Sequence, residues 1–167
     1  MDTPQNLFDL VTAAQADAKV SETHINVLQA QMTDQNASSK NLDAAISERA
    51  LAAIDIYTTF EARMQHHFKR GPFSRKLKAL LMNAGHADLA ERVHNFYLAI
   101  NVLKHGKGAS YRELLNVSHP LIVVIPLDTT PGEETPAPSG MIDVTVPGFF
   151  DGLTQTILDA YEFLETQ

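Results

Sequence analysis

Helical periodicity is the feature that most constrains how this chain can fold. Apolar residues recur at spacings of three, four or seven through long segments, the pattern of amphipathic α-helices with one buried stripe. The predicted helices cover about residues 3–34, 41–70, 73–85, 88–105, a brief stretch at 110–116, and 149 onward. Because such stripes must be buried against one another, the pattern predicts a mainly α, up-and-down helical bundle with long N-terminal helices.

Local signals at the helix ends set the expected bounds. Thr3 before Pro4 predicts the first N-cap, the segment 36–40 predicts a turn, and Gly71 before Pro72 ends the second helix. Two pairs match the capping-box pattern: Asp88 with Glu91, and Ser110 with Glu113. These pairs predict the starts of the fourth helix and of the brief helix that follows it.

The pattern changes before the last helix. Residues 121–125 form a β-branched run, and residues 141–146 alternate between apolar and other side chains. The segment between them, 128–140, is rich in Pro, Thr, Gly and Glu. Two such strands predict a small C-terminal β-hairpin inserted at about residues 120–147. One domain over residues 1–167 is expected, since a lone hairpin has no core of its own.

Composition excludes several classes of protein. The 167 residues are 44% apolar and 20% charged, as in globular proteins, and the absence of cysteine excludes disulfides and thiolate metal sites. The N-terminus lacks the basic and apolar regions of a secretion signal. The longest apolar run, 121–127, is much shorter than the roughly 20 residues that cross a bilayer. We therefore expect a cytoplasmic protein without membrane contact.

Charge is distributed unevenly along the chain. The net charge is −7, yet residues 63–112 hold ten cations and two acids, a net charge of +8. The remaining residues hold three cations and eighteen acids. Such polarity can create a local field that attracts phosphate groups, which makes a nucleotide or RNA a possible ligand. The alternative interpretation is that basic, solvated helix faces pair with the acidic helices.

A strip of polar side chains follows the fourth helix on the side away from its apolar stripe. With Asn101 placed at 0° on a helical wheel, His94 falls at about 20° and His105 at about 40°. Apolar Ile100 and Leu103 fall at about −100° and −160°. We call His94, Asn101 and His105 the polar strip.

The polar strip carries groups that can bind a ligand. Imidazoles and amides bind phosphates or base edges, and histidine can exchange a proton near neutral pH. Neighbouring lysines complete the predicted ligand-binding set: His94, Asn101, Lys104, His105 and Lys107. The alternative interpretation is that these residues are the ordinary solvated face of an amphipathic helix.

Two segments of the chain resemble a known family. Asn101, three further residues, and then His105 with Gly106 are similar to the signature of HEPN-like proteins, in which an Arg, often followed by Asn, precedes a His on a late bundle helix. The segment 56–61, with its aromatic residues and Glu61, resembles an aromatic-plus-Glu segment on an earlier helix of that family. The resemblance covers residues 40–115 and implies a frequently dimeric scaffold associated with nucleotide or RNA biology.

The chain departs from the family at the arginine. HEPN ribonucleases place it with four to six residues between Arg and His, and the corresponding positions here are Leu98, Ala99 and Ile100. Arg92 falls near 180° on the wheel, opposite Asn101. A lysine does not reproduce the planar, bidentate geometry of arginine. The resemblance therefore implies a non-catalytic or weakly active nucleotide or RNA-phosphate binding module, with no catalytic residue and no cofactor.

Two further interpretations concern contact with a partner protein and the histidine pair at residues 66 and 67. The acidic first helix and the acidic segment 128–140 could instead serve protein–protein contact, as in an adaptor or antitoxin-like domain without a small ligand. His66 and His67 are adjacent, and neighbouring side chains on an α-helix point about 100° apart. This pair is therefore predicted to be a poor metal site, and no metal is expected.

Overall fold

A computed structural model describes residues 6–31, 36–125 and 141–167. These residues form a bundle of six α-helices and one 3₁₀ turn, so the predicted mainly α helical bundle is confirmed. The helices are α1 (Leu7–Ala30), α2 (Asn36–Met64), α3 (Phe73–Asn83), α4 (Ala87–His105), α5 (Ala109–Leu115) and α6 (Phe149–Glu165). The 3₁₀ turn, Gln65–His67, directly follows α2.

The first two helices pack side by side as an antiparallel pair. Asn6 caps α1, since its Oδ1 accepts a hydrogen bond from the Asp9 amide at 2.8 Å. The predicted cap at Thr3 lies outside the described residues. The predicted turn at 36–40 is wrong, because α2 already begins at Asn36. That segment contains neither glycine nor proline, so nothing in it prevents a helical backbone.

The outer end of this pair has its own small apolar cluster. It consists of four side chains from α1 and α2: Ile25, Leu28, Leu42 and Ala45. The buried stripe of α2 then continues into the main core. Because early residues of one helix meet late residues of the other, the cluster extends the contact between α1 and α2 beyond the main core.

The main core lies around α4, which packs against α2, α3, α5 and α6. Its largest fully buried aromatic side chains are Tyr57, Phe60, Phe96, Phe149 and Phe150. Phe60 meets buried Phe73 edge to face, with ring centroids 5.3 Å apart. The final helix presents the predicted apolar stripe to this core: Phe149, Leu153, Ile157, Ala160 and Leu164. These contacts leave only limited flanks of α4 accessible.

Both capping-box predictions are wrong. The N-caps of α4 and α5 are His86 and Gly108, and neither residue makes a side-chain hydrogen bond that caps its helix. Asp88 instead lies in the first turn of α4. Ser110 and Glu113 lie within α5 and are bonded to side chains of α4. Ser110 and Glu113 therefore make contacts with α4 in place of the capping contacts that the local pattern predicted.

The predicted β-hairpin is not present in the described residues. The two segments meet only at an isolated antiparallel bridge between Val124 and Ile142. After this bridge the chain turns, with Asp143 Oδ1 accepting a hydrogen bond from the Thr145 amide at 3.0 Å. The predicted tip, 128–140, lies entirely outside the described residues, as do residues 126 and 127.

In the ranges that the structure describes, no helix is both long enough and apolar enough to cross a membrane.

Candidate functional site

The C-terminal end of α4 carries two of the predicted ligand-binding residues. Lys104 and His105 lie in its last turn, where the helix dipole favours positive charge. The helix ends there because Gly106 has a φ of +74°, a conformation that glycine adopts without strain. The chain then turns through Lys107 and enters α5 at Ala109.

α5 covers the middle of the polar strip. Its buried residues Tyr111 and Leu114, three positions apart, hold the short helix against the bundle. This packing turns Ser110 and Glu113 toward α4. The short connection after Gly106 therefore determines which side chains face the polar strip.

Two residues of the polar strip have partners in α5. His94 Nε2 lies 2.8 Å from Glu113 Oε1, and Asn101 Nδ2 donates to Ser110 Oγ at 3.3 Å. Both side chains are half-buried. The structure therefore brings His94 and Asn101 to one flank of α4, as predicted, and occupies them with contacts inside the chain.

The remaining three predicted residues lie in the last turn of α4 and in the turn that follows it. His105 and Lys107 are exposed and Lys104 is half-buried. We call Lys104, His105 and Lys107 the cationic end. The structure thus divides the predicted set into a covered pair, His94 and Asn101, and an accessible cationic group.

Lys104 also connects the cationic end to α2. Burial raises the pKa of Glu61, and the positive charge of Lys104 opposes that shift. Tyr57, one turn earlier on α2, is buried and shares a 2.9 Å hydrogen bond with Ser74. Burial raises the pKa of this tyrosine strongly, so it stays protonated. The electrostatic interaction of Glu61 with Lys104 therefore links the two segments on which the HEPN-like resemblance rests.

The structure places Arg92 away from the polar strip and leaves His105 exposed. Arg92 donates to Asp159 of α6 at 3.0 Å, whereas Asn101 faces α5, so this arginine lies away from the polar strip. His105 has no hydrogen-bond or ion-pair partner among the described residues that would orient it as an acid or base. What the cationic end offers is positive charge and hydrogen-bond donors, which suit an anionic ligand.

Other concave surfaces lie elsewhere on the bundle. A pocket of about 370 Å³ surrounds the start of α4, where Arg92 and Asp159 are paired. A groove of about 550 Å³ runs between Phe8 of α1 and the outer side of α6, next to Leu158 and Tyr161. Neither is lined by a residue of the polar strip or the cationic end.

A second cluster was missed by sequence reasoning. His66, His67 and Glu165 place one potential metal-ligating atom each within 4.8 Å of the others. The prediction that the two histidines point apart was wrong, because their rings lie 4.2 Å apart between centroids. Glu165 is 98 residues from His67, so no local pattern could have connected them.

Comparison with known proteins adds no relative to this picture. No family model, no curated protein and no solved structure matches the chain. The HEPN-like resemblance therefore stays a prediction that rests on Asn101, His105, Gly106 and the segment 56–61.

Proposed function

We propose that this protein is a non-catalytic or weakly active HEPN-like module that binds the phosphate groups of a nucleotide or RNA. The ligand would meet the cationic end first, with Lys104 and Lys107 supplying charge and His105 a hydrogen-bond donor. His94 and Asn101, held by α5, would shape the flank beside it. A homodimer, which the resemblance implies, would place two such flanks together.

One observation carries the proposal: three side chains able to bind phosphate follow one another closely at one helix end, and two of them, His105 and Lys107, are exposed. Lys104, His105 and Lys107 lie within four residues and flank a glycine-dependent turn. Local clustering of this kind concentrates positive potential even on a protein whose net charge is −7.

The segment 63–112, which we call the basic window, also supports binding of a phosphate ligand. Seven of its ten cations are exposed: Arg63, Lys69, Arg70, Arg75, Lys76, Lys107 and Arg112. Exposed cations can attract a polyanion over distances of about a Debye length, roughly 8–10 Å at physiological salt. This attraction would raise the local concentration of a phosphate-containing ligand near the bundle end.

The test is fluorescence anisotropy with a labelled single-stranded RNA, measured at several salt concentrations. Each phosphate contact with single-stranded nucleic acid adds about 0.7 to the slope of log K against log salt. Replacing Lys104 and Lys107 by alanine together should therefore weaken binding at low salt and reduce that slope by about 1.4. His105→Ala should weaken binding in a separate measurement, and RNA integrity on a gel reports any cleavage.

The matched control is the double replacement of Lys19 and Lys40 by alanine. Both lysines are exposed and lie outside the basic window, and the change in net charge is the same. Equal effects of the two double variants would contradict a site at the cationic end. Absence of RNA and nucleotide binding at low salt by the unmodified protein would overturn the proposal altogether.

A second candidate function is contact with a protein partner through α1. Val20 and Val27 are 72% and 48% exposed and lie seven residues apart, on one stripe of that acidic helix. Contiguous exposed apolar patches mark interaction surfaces, and these two valines would form part of one. A stable hetero-complex that survives replacement of His94, Asn101 and His105 by alanine would favour this candidate over phosphate binding.

A further inference from the structure

The end of α2 brings two imidazoles into contact. The backbone tightens into a 3₁₀ turn at Gln65–His67, which the Phe68 amide closes by donating to the Gln65 carbonyl at 2.9 Å. The rings of His66 and His67 lie 4.2 Å apart between centroids, with an angle of 35° between their planes. Two adjacent histidines therefore present their nitrogens to a common region of the surface.

The hydrogen bond of His66 prepares its other nitrogen to act as a ligand. His66 Nδ1 lies 2.8 Å from the carbonyl oxygen of Arg63. A carbonyl can only accept, so Nδ1 carries the proton, and the neutral ring has its lone pair on Nε2. Metal-bound histidines usually donate their second ring nitrogen to a carbonyl or carboxylate in this way.

Glu165, the last residue of α6, completes the cluster from the opposite helix. Its Oε1 lies 3.4 Å from His67 Nε2, and the ligand atoms of all three residues are within 4.8 Å of one another. In a tetrahedral site with bonds of about 2.0–2.1 Å, two ligand atoms are about 3.3–3.4 Å apart. The His67–Glu165 distance already matches that geometry.

We propose that His66, His67 and Glu165 bind a divalent transition-metal ion of the Zn²⁺ class at the junction of α2 and α6. Glu165 is exposed, so its side chain can turn toward the two imidazoles and close part of the gap that remains. The ion replaces a weak surface contact with a bond between residues 98 positions apart. It therefore fastens the end of α6 to the end of α2.

The donor set selects the kind of ion. Two imidazole nitrogens and one carboxylate oxygen suit Zn²⁺, Co²⁺, Ni²⁺ or Cu²⁺, whereas Mg²⁺ and Ca²⁺ prefer oxygen donors throughout. Three protein ligands leave a fourth position for water or an external ligand. Exposed Lys69 and Arg70 follow the cluster, and their positive charges oppose the binding of a cation. Binding is therefore measured at about 0.15 M salt, where charges more than about 8 Å apart are screened.

The experiment is a titration of the full chain, purified without a histidine tag, with Zn²⁺ by calorimetry. One equivalent should bind, and the Tm should rise by about 5–10 °C at a hundredfold excess over Kd. Co²⁺ should give the intense visible absorption of a four-coordinate ion. Hydrogen exchange should slow in the last turn of α6 when the metal is present, which a site made of His66 and His67 alone would not produce.

Variants assign the site. His66→Ala, His67→Ala and Glu165→Gln should each lose at least tenfold in affinity and lose the rise in Tm. His24→Ala, at an exposed histidine of α1, is the matched control and should bind as the unmodified chain does. Metal-free Tm values verify that every variant folds. No binding by the unmodified protein, or binding retained in all three site variants, would overturn the assignment.

Discussion

Single polar side chains hold the segment that follows α5 in place, and His119 is one of them. Its Nδ1 accepts a hydrogen bond from the Leu121 amide at 3.1 Å, which requires an unprotonated nitrogen. Its ring meets Phe96 edge to face, with centroids 5.8 Å apart. Burial lowers the pKa of His119, and the nearby charge of Glu91 opposes the shift.

His119 should make stability depend on pH. The folded chain holds the neutral imidazole, whose pKa lies below the value of about 6.5 expected when the chain is unfolded. Its stabilising contribution is therefore complete above pH 6.5 and is lost as pH falls through the lower pKa of the folded state. We expect His119→Gln to reduce the loss of Tm between pH 7 and pH 5, measured by thermal unfolding.

The matched variant is His24→Gln, at an exposed position on α1. It should leave the difference between the two Tm values unchanged. If His119→Gln and the unmodified protein lose the same number of degrees on acidification, the hydrogen bond to Leu121 does not account for any of the pH dependence.

At the scale of elements, α5 shows how packing determines which partners polar side chains bond to. The sequence from Ser110 to Glu113 matches a capping box, and a brief helix is indeed present. Its polar residues nevertheless bond to α4, because buried Tyr111 and Leu114 determine which side of α5 faces the bundle. The pattern could predict that a helix forms there, but not which partners its polar residues meet.

Removing the charge of Glu113 should strengthen phosphate binding. Its carboxylate contacts His94 and adds negative charge near the flank on which we place the ligand. A unit charge about 8 Å away in water is worth roughly 0.5 kcal/mol, so Glu113→Gln should raise RNA affinity about two- to threefold at low salt. The measurement is the same anisotropy titration, read as Kd.

Glu48→Gln supplies the comparison, since this exposed residue of α2 makes the same change in net charge. Its effect on Kd should be smaller. Weaker binding by Glu113→Gln would mean that Glu113 assists the ligand site by orienting His94. The prediction that its negative charge opposes phosphate binding would then be wrong.

At the scale of the whole molecule, one buried arginine joins four parts of the chain. Arg49 of α2 is only 6% exposed, and its Nε and Nη1 donate to the carbonyls of Val144 and Ala18 at 3.0 and 2.8 Å. Its guanidinium also lies 5.4 Å from the ring centroid of Phe150 in α6. Burial lowers the pKa of Arg49, and Glu22 and Asp151 oppose that shift.

Arg49→Met should lower the free energy of unfolding by about 2–4 kcal/mol. Methionine keeps much of the apolar stem but leaves two carbonyls without their charged donor, and each such loss costs about 1–3 kcal/mol. Urea denaturation measures the change. Arg75→Met on the exposed side of α3 should change stability by less than about 0.5 kcal/mol. Equal effects of the two variants would contradict the role assigned to Arg49.

The sequence alone determined which segments become helices and which faces they bury. Regular spacing of apolar residues acts within a few turns, so α3 and α4 end close to Gly85 and Gly106, and α6 begins at Phe149, as predicted. It also placed His94 and Asn101 on one flank of α4. These outcomes depend on neighbours three or four residues away, which a linear pattern records.

Only the tertiary structure decided the outcomes that depend on distant partners. Asp143 closes a turn where alternation predicted a strand, and α5 covers the polar strip where a wheel showed an open face. His66, His67 and Glu165 meet because two helices end together. The physical reason is the same in each case: polar side chains bond to whatever packing brings near, and packing joins residues that the sequence separates.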